Sequence, residues 1–282
     1  KHSLRQLSKG IFHIALQANN QFGHEKPVYI VPTGIEYGDH FRYRSTCLVN
    51  FGEAINVTEF IKTLDVENEA QMMEPLRKEL KARMSSLKTF IESDENFDRK
   101  WALTKILARE DARQGSLKER MLHNRHVIEQ IEKACEIKPE EMEKLLDEAL
   151  TFEKARRKNK LSIWSFGSRN KVSNVIAKSF IALLGIPYFL FAAAVTLPMW
   201  LTFEILRGKP KDRAFHNTAG FGIKLGMGLV LYPALIITAF CLISWPVALL
   251  LTLLAVPAYG FFYDYTEFIR TYISDLRLRG NK

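Results

Sequence analysis

From residue 180 onward the chain becomes too apolar to fold as an ordinary water-soluble domain. Phe180–Leu206 is nearly uncharged, with Glu204 close to its end, and Asn217–Phe262 is apolar again apart from Lys224 near its start. About twenty apolar residues are enough to cross a bilayer core as a helix. The second stretch is long enough for two helices, with Ser244-Trp245-Pro246 as the turn between them. The first contains Pro187 and Pro198, where a helix can bend or break.

Charge decides how these stretches are threaded. The chain holds 40 Lys and Arg against 31 Asp and Glu. Residues 1–160 are nearly balanced, so most of the net charge of +9 falls in residues 161–282. The run Lys154–Lys160, the loop Arg207–Arg213 and the C-terminal Arg270, Arg277, Arg279 and Lys282 each flank an apolar stretch. Basic flanks favour the cytoplasmic face and anionic lipid. Three basic segments on one face require the first stretch to turn back, so residues 161–282 are expected to hold a re-entrant hairpin followed by a two-helix hairpin. Three simple spans would put one basic segment on the wrong side. Trp164 and Phe166 among Arg169 and Lys171 read as a surface segment ahead of the first stretch. The expected location is the cell membrane with the polar part on the cytoplasmic side, and membrane lipids are the expected partners. Nucleic acid is not expected, because the basic residues flank apolar spans instead of lining a polar helix or strand. A transporter or channel is disfavoured by the small number of spans.

Residues 63–160 read as charged amphipathic helices, an arm or a small bundle. Met72, Leu76, Leu80, Met84, Leu87 and Ile91 recur at helical spacing. Further helices are expected over Phe97–Arg109, Leu117–Cys135 and Glu140–Arg157, the last with Pro139 in its first turn. His123 and His126 share a helix face with Glu119 or Glu129 in reach as a third metal ligand; a solvated or packing pair is the simpler reading. Cys47, Cys135 and Cys241 have neither metal nor disulfide spacing and read as reduced packing residues.

The N-terminal sixty residues read as α/β. Leu4, Leu7, Ile11, Ile14 and Ala15 predict a helix over Ser3–Gln17 in which Gly10 marks either a close helix–strand approach or a tolerated glycine. Pro27–Pro32 is a continuous apolar run suited to a buried strand, Gly38-Asp39-His40 is turn chemistry, and Arg42–Phe51 is a second strand ended by Gly52. Asp39 beside His40 suggests an imidazole base with its orienting carboxylate, although adjacent turn residues usually point apart and a solvated turn fits as well. Arg42 and Arg44 fall on one strand face by period two, where they can grip a phosphate or line an exposed edge.

The ordered set of Lys9-Gly10-Ile11-Phe12, the strand VYIVPTGIEY and a strand ending Phe51-Gly52-Glu53 resembles the second half of the PlsC-like glycerolipid acyltransferase domain. Ile30-Val31-Pro32 resembles its fourth block. The resemblance implies that residues 1–62 are the C-terminal part of that domain: an α/β fragment followed by a helical arm over 63–160 and an α-helical membrane region over 161–282. It implies transfer of an acyl chain from acyl-CoA or acyl-carrier protein to glycerol phosphate or lysophosphatidate. No cofactor is implied beyond that thioester donor. Val31, Pro32, Thr33, Arg42 and Arg44 are the substrate-binding candidates, and self-association as a homo-oligomer stays open. The family's base, the histidine of Asn-His-x4-Asp, has no counterpart here: no histidine is followed by Asp five positions later. Phe-Pro-Glu-Gly, its third block, is also absent. No catalytic residue is therefore assigned. The expectation is a fragment of a larger acyltransferase, inactive alone, with a non-catalytic membrane-anchored scaffold as the alternative.

Overall fold

The computed structural model describes residues 2–22, 25–38, 45–64, 66, 68–109, 115–166, 172–207 and 215–280. Among the described residues the fold is mostly helical, with four short strands. Two compact units emerge: Lys1–Gly38 together with Thr46–Arg156, and Arg157–Lys282.

In the first unit, α1 (Gly10–Phe22) precedes β1 (Tyr29–Ile30) and β2 (Thr33–Tyr37), then β3 (Cys47–Phe51), β4 (Ile55–Asn56) and the short α2 (Val57–Lys62). β1 pairs antiparallel with β4 through Tyr29↔Asn56 and Ile30↔Ile55. β2 pairs antiparallel with β3 from Thr33↔Phe51 to Tyr37↔Cys47. Pro32 interrupts the first strand, since proline has no N–H for a ladder, yet its carbonyl still accepts the Gly52 N–H at 2.8 Å. The run Pro27–Pro32 is therefore a strand only at Tyr29–Ile30. Of the expected strand Arg42–Phe51, Cys47–Phe51 is β3, and 42–44 lie outside the described residues.

The helix expected over Ser3–Gln17 begins at Gly10 instead. The preceding segment gives its hydrogen bonding elsewhere, the His2 carbonyl accepting the Ile91 N–H at 2.9 Å. Gly10 thus opens α1, and a Cβ there would meet nothing nearer than Ser8 Oγ at 4.0 Å. No close helix–strand approach requires it.

Next come α3 (Glu69–Ser86), α4 (Phe97–Leu107), α5 (Leu117–Ile137) and α6 (Pro139–Lys158). Asn68 caps α3 through the Ala70 N–H, and Ser116 with Glu119 forms a reciprocal capping box on α5. The boundary expected near residue 62 does not separate two bodies. Leu76 and Leu80 of α3 complete one core with Phe12, Ala15, Ile30, Ile55 and Val57. A second core joins Leu103 of α4, Val127 and Ile131 of α5, and Leu146 and Ala149 of α6. These helices form a packed bundle and not an extended arm, because each stripe finds a facing stripe to bury.

In the second unit, α7 (Val172–Arg207), α8 (Phe215–Leu242) and α9 (Trp245–Gly280) are three helices long and apolar enough to cross a membrane. Many of their large apolar side chains, among them Leu183, Leu190, Val230, Leu242 and Val256, point outward. An outward apolar surface of that size suits lipid. The re-entrant hairpin expected over Phe180–Leu206 is not built as two helices and a turn. α7 is helical throughout, including Pro187 and Pro198, which suits a medium that offers no water to a freed backbone. Ser244 lies between α8 and α9.

The glycines of α8 at 220, 222, 226 and 228 differ in how closely α7 approaches them. A Cβ at Gly222 or Gly226 would meet nothing within 4 Å. One at Gly220 would meet the Phe203 ring at 2.6 Å, while one at Gly228 would lie 3.8 Å from Met199 Sδ, an ordinary contact.

In the first unit, a Cβ on Gly34 would lie 2.5 Å from Leu87 Cβ and 2.7 Å from its carbonyl oxygen, whereas one on Gly52 would meet only the Leu87 methyl ends, the nearest at 2.9 Å. Backbone cannot yield as a methyl can. Gly34→Ala is expected to destabilise the first unit by about 1–3 kcal/mol and Gly52→Ala by less. Thermal melts of the two variants, compared with the parent chain in the same detergent, check the order.

Candidate functional site

The substrate-binding candidates fall where β1 passes into β2. Val31 is exposed, Pro32 is among the fully buried side chains, and Thr33 is half-buried. Thr33 Oγ1 donates to the Val31 carbonyl at 3.4 Å, a local contact. The three side chains do not converge on one point: Pro32 packs inside while Val31 faces out. Arg42, Arg44, Asp39 and His40 lie outside the described residues.

The polar centre of this region is Glu36. Burial along β2 places Gly34 and Glu36 inward, with Ile35 and Tyr37 outward. On β3 the outward partners are Val49, paired with Ile35, and Phe51, paired with Thr33. The alternation is thus inverted: the carboxylate is 5% exposed while Phe51 is 72% exposed. The reason lies in the non-helical segment Leu87–Ile91, which packs against the inner face. Leu87 fits into the space left by Gly34 and Gly52. Asn50 Nδ2 donates to the Leu87 carbonyl at 2.8 Å. Thr89 N–H donates to Glu36 Oε2 at 3.0 Å, and Ile91 N–H donates to the His2 carbonyl. A non-helical segment inside a unit must find partners for its amides, and Glu36 serves that need.

His2 completes the cluster. Its Nδ1 lies 3.6 Å from Glu36 Oε1 and its ring centroid 4.0 Å from that of Trp101. That separation is too long for a hydrogen bond. Burial, reinforced by neighbouring positive charge including Lys88, lowers the His2 pKa to about 4. The imidazole is therefore neutral at pH 7, and its contact with Glu36 is not an ion pair there. Burial also raises the Glu36 pKa, against the pull of the Thr89 hydrogen bonds, and lowers that of Lys88, against the attraction of Glu36. Buried titratable groups shifted by their surroundings are what functional centres use. A carboxyl group and a neutral imidazole at this distance can exchange a proton through a small movement. Neither Glu36 nor His2 is among the substrate-binding candidates drawn from the sequence. The available signal was a glutamate at an inward position of an otherwise apolar strand.

Other candidates resolve simply. His126 Nε2 lies 3.0 Å from Gln130 Nε2 on the same helix. Among the described residues no group of three or more His, Cys, Asp or Glu side chains could hold a metal ion. Cys47 and Cys241 are exposed and Cys135 is half-buried, and all three are free thiols.

In the second unit a cavity of about 260 Å³ is lined by Met199, Phe221, Lys224, Leu225, Tyr232 and Tyr259, with Gly228 and Leu229. Lys224 does not snorkel outward as its position near a helix end suggests. Its Nζ lies 4.6 Å from the Phe203 ring centroid and 4.8 Å from that of Tyr263, an arrangement in which ring faces replace part of the lost hydration. Glu204 is the carboxylate that acts on it electrostatically.

No protein-family model, no characterised protein and no solved structure matches the chain.

The Glu36 cluster makes a signed prediction. A raised carboxylate pKa means stability is lost as pH climbs from about 4.5 through the folded value; a lowered His2 pKa means stability is lost as pH falls from about 6.5 towards 4. Glu36→Gln keeps an acceptor for the Thr89 N–H and removes the charge, so the first loss should disappear while the acid-side loss remains. Glu36→Ala strands a buried N–H and should cost about 1–3 kcal/mol. Melting temperature against pH for the three proteins checks both.

Proposed function

We propose that the chain is part of a membrane-bound acyltransferase that moves a fatty acyl chain from a thioester donor to glycerol phosphate or lysophosphatidate in phospholipid synthesis. The observation that carries this reading is the order of its N-terminal motifs: the Lys-Gly-Ile-Phe helix start, Ile30-Val31-Pro32 and the strand ending Phe51-Gly52-Glu53. Two features support it. The segments bearing the motifs lie side by side as α1 and the paired strands β1–β4. The three apolar helices suit an enzyme whose donor and acceptor both partition into a bilayer.

On this reading Val31, Pro32 and Thr33 of the first unit line one wall of an acceptor and acyl pocket, and Arg42 and Arg44 are the candidates to bind the acceptor phosphate. The second unit holds that pocket at the lipid interface. The donor is acyl-CoA or acyl-carrier protein, and no cofactor takes part. The acceptor hydroxyl needs a general base to attack the thioester carbonyl. None of the 282 residues fits the family's Asn-His-x4-Asp pattern, so the base comes from another stretch of polypeptide. The work is placed at the cytoplasmic side of the cell membrane.

A second reading, a membrane-anchored scaffold without catalysis, is favoured by the outward apolar row Ile35, Tyr37, Val49 and Phe51, which suits a protein partner. Membranes carrying the gene's full reading frame should incorporate labelled acyl groups from acyl-CoA or acyl-carrier protein into glycerol 3-phosphate or lysophosphatidate above vector controls. Changing Arg42 and Arg44 together to Gln should raise the acceptor KM by tenfold or more, about the loss of one to two charge-assisted hydrogen bonds. No incorporation with either donor would leave the scaffold reading.

A further inference from the structure

Three helices that cross a membrane one after another run up, down and up, so the first and third are parallel. α7 and α9 are not. Lys178 pairs with Asp275, Ser179 Oγ lies 2.7 Å from Tyr272 OH, and Tyr265 OH donates to the Ala182 carbonyl. Further along, the Phe189 ring stacks on Phe262 at 5.5 Å and Tyr188 OH donates to the Leu254 carbonyl at 2.8 Å. Positions rise along α7 as they fall along α9, which is antiparallel packing. Val172 and Gly280 therefore sit at the same end of the unit.

α8 and α9 are antiparallel as well. They are separated only by Ile243 and Ser244, and Lys224 near the start of α8 reaches Tyr263 in the second half of α9. The start of α8 is thus at that same end. α7 meets this part of α8 with its own C-terminal portion: Phe203 lies against Gly220 and Lys224, and Met199 against Gly228. Phe189 stacks on Phe262, and Phe203 shares the Lys224 ammonium with Tyr263, the next residue of α9. A straight helix at 1.5 Å per residue would separate Phe189 and Phe203 along the axis by about 21 Å. α7 is therefore bent between Phe189 and Met199, the stretch that ends at Pro198, where the missing N–H permits a kink.

We propose that α7 does not cross the membrane: it enters, bends near Pro198 and returns, so that the end of α7 and the start of α8 lie on the face at which the chain entered. The alternative would return the chain from the far face to the start of α8 through residues 208–214. Fully extended, that segment reaches at most about 28 Å, short of a hydrocarbon core of roughly 30 Å. It also carries Lys209, Lys211, Asp212 and Arg213, each costing several kcal/mol in hydrocarbon. With α7 returned, the start of α7, the start of α8 and the end of α9 with Arg277 and Arg279 meet one leaflet, and the sequence flanking these ends is basic. A surface of anionic headgroups is the partner that this face fits. Only the α8–α9 pair traverses, with Trp245 at the far interface.

The test reads sidedness without a catalytic assay, so it stands apart from the acyltransfer reading. In a background of Cys47→Ser, Cys135→Ser and Cys241→Ala, single variants Lys158→Cys, Lys209→Cys and Asn281→Cys are exposed to a membrane-impermeant maleimide in sealed vesicles of known orientation. The expected result is labelling of all three from one face. Labelling of Lys209→Cys only from the opposite face, or only after the vesicles are opened, overturns the proposal. Should the variants fail to accumulate, trypsin on the unsubstituted chain gives the same answer. Cleavage after Arg213 from the face that also cuts after Arg157 supports a returning α7; protection of Arg213 until the vesicles are opened overturns it.

Discussion

A backbone amide that leaves water has to take a hydrogen-bond partner with it, and both units are arranged around that requirement. In the second unit the requirement is met by keeping α7 helical through two prolines. The polar side chains that remain are gathered at one end. Asp275, 2% exposed, is met by Lys178, and Ser274 Oγ accepts the Ser162 N–H at 2.7 Å while lying 2.7 Å from Ser165 Oγ. These contacts hold the C-terminal end of α9 against the start of α7 and the short turn Ile163–Ser165 before it. They fix the antiparallel direction from which the bend in α7 follows. Loss of Lys178 would leave a buried carboxylate unpaired, which costs far more than a surface ion pair returns.

The first unit meets the same requirement with the opposite material. Its Leu87–Ile91 segment is not helical, so its amides must be answered by side chains and by the N-terminal segment. Glu36 and Asn50 point inward for that reason, and the apolar residues between them are turned out. A two-stranded sheet with an inward glutamate and outward Ile35, Tyr37, Val49 and Phe51 has its polarity reversed relative to a half-buried hairpin. Elsewhere in the unit the logic is the familiar one. Glu153, 4% exposed, lies between Lys105 of α4 and Arg156 of α6, the latter with Nε at 2.8 Å. The charged bundle is tied where its core ends.

These two solutions bear differently on the proposed acyl transfer. The Val-Pro segment lies at the junction of β1 and β2, next to the outward apolar row, so one side of the strand pair is built for packing and the other is free to meet an apolar surface. The cavity beside Lys224 belongs to the membrane unit and has the character of a lipid-facing recess with one enclosed cation. The charge of Lys224 is turned toward Phe203, Tyr263 and Glu204, so burial of the ammonium is offset inside the unit.

The amino-acid sequence by itself determined the helices and the apolar stretches. The stripe from Met72 to Met84, the caps at Asn68 and Ser116, Pro139 and the length of Phe180–Leu206 are local facts, and local hydrogen bonding and hydropathy act on them directly. Several features lay beyond that reach. The start of α1 at Gly10 depends on Ile91 capturing the His2 carbonyl, eighty-odd residues away in sequence. Burial of Glu36 depends on Thr89, and Gly220 of α8 is closely packed because the Phe203 ring faces it. The proline pair in α7 allowed a break, a bend or neither. Only the contacts with α8 and α9 chose a bent, unbroken helix, because a long-range packing partner decides what a proline-weakened but still hydrogen-bonded backbone does.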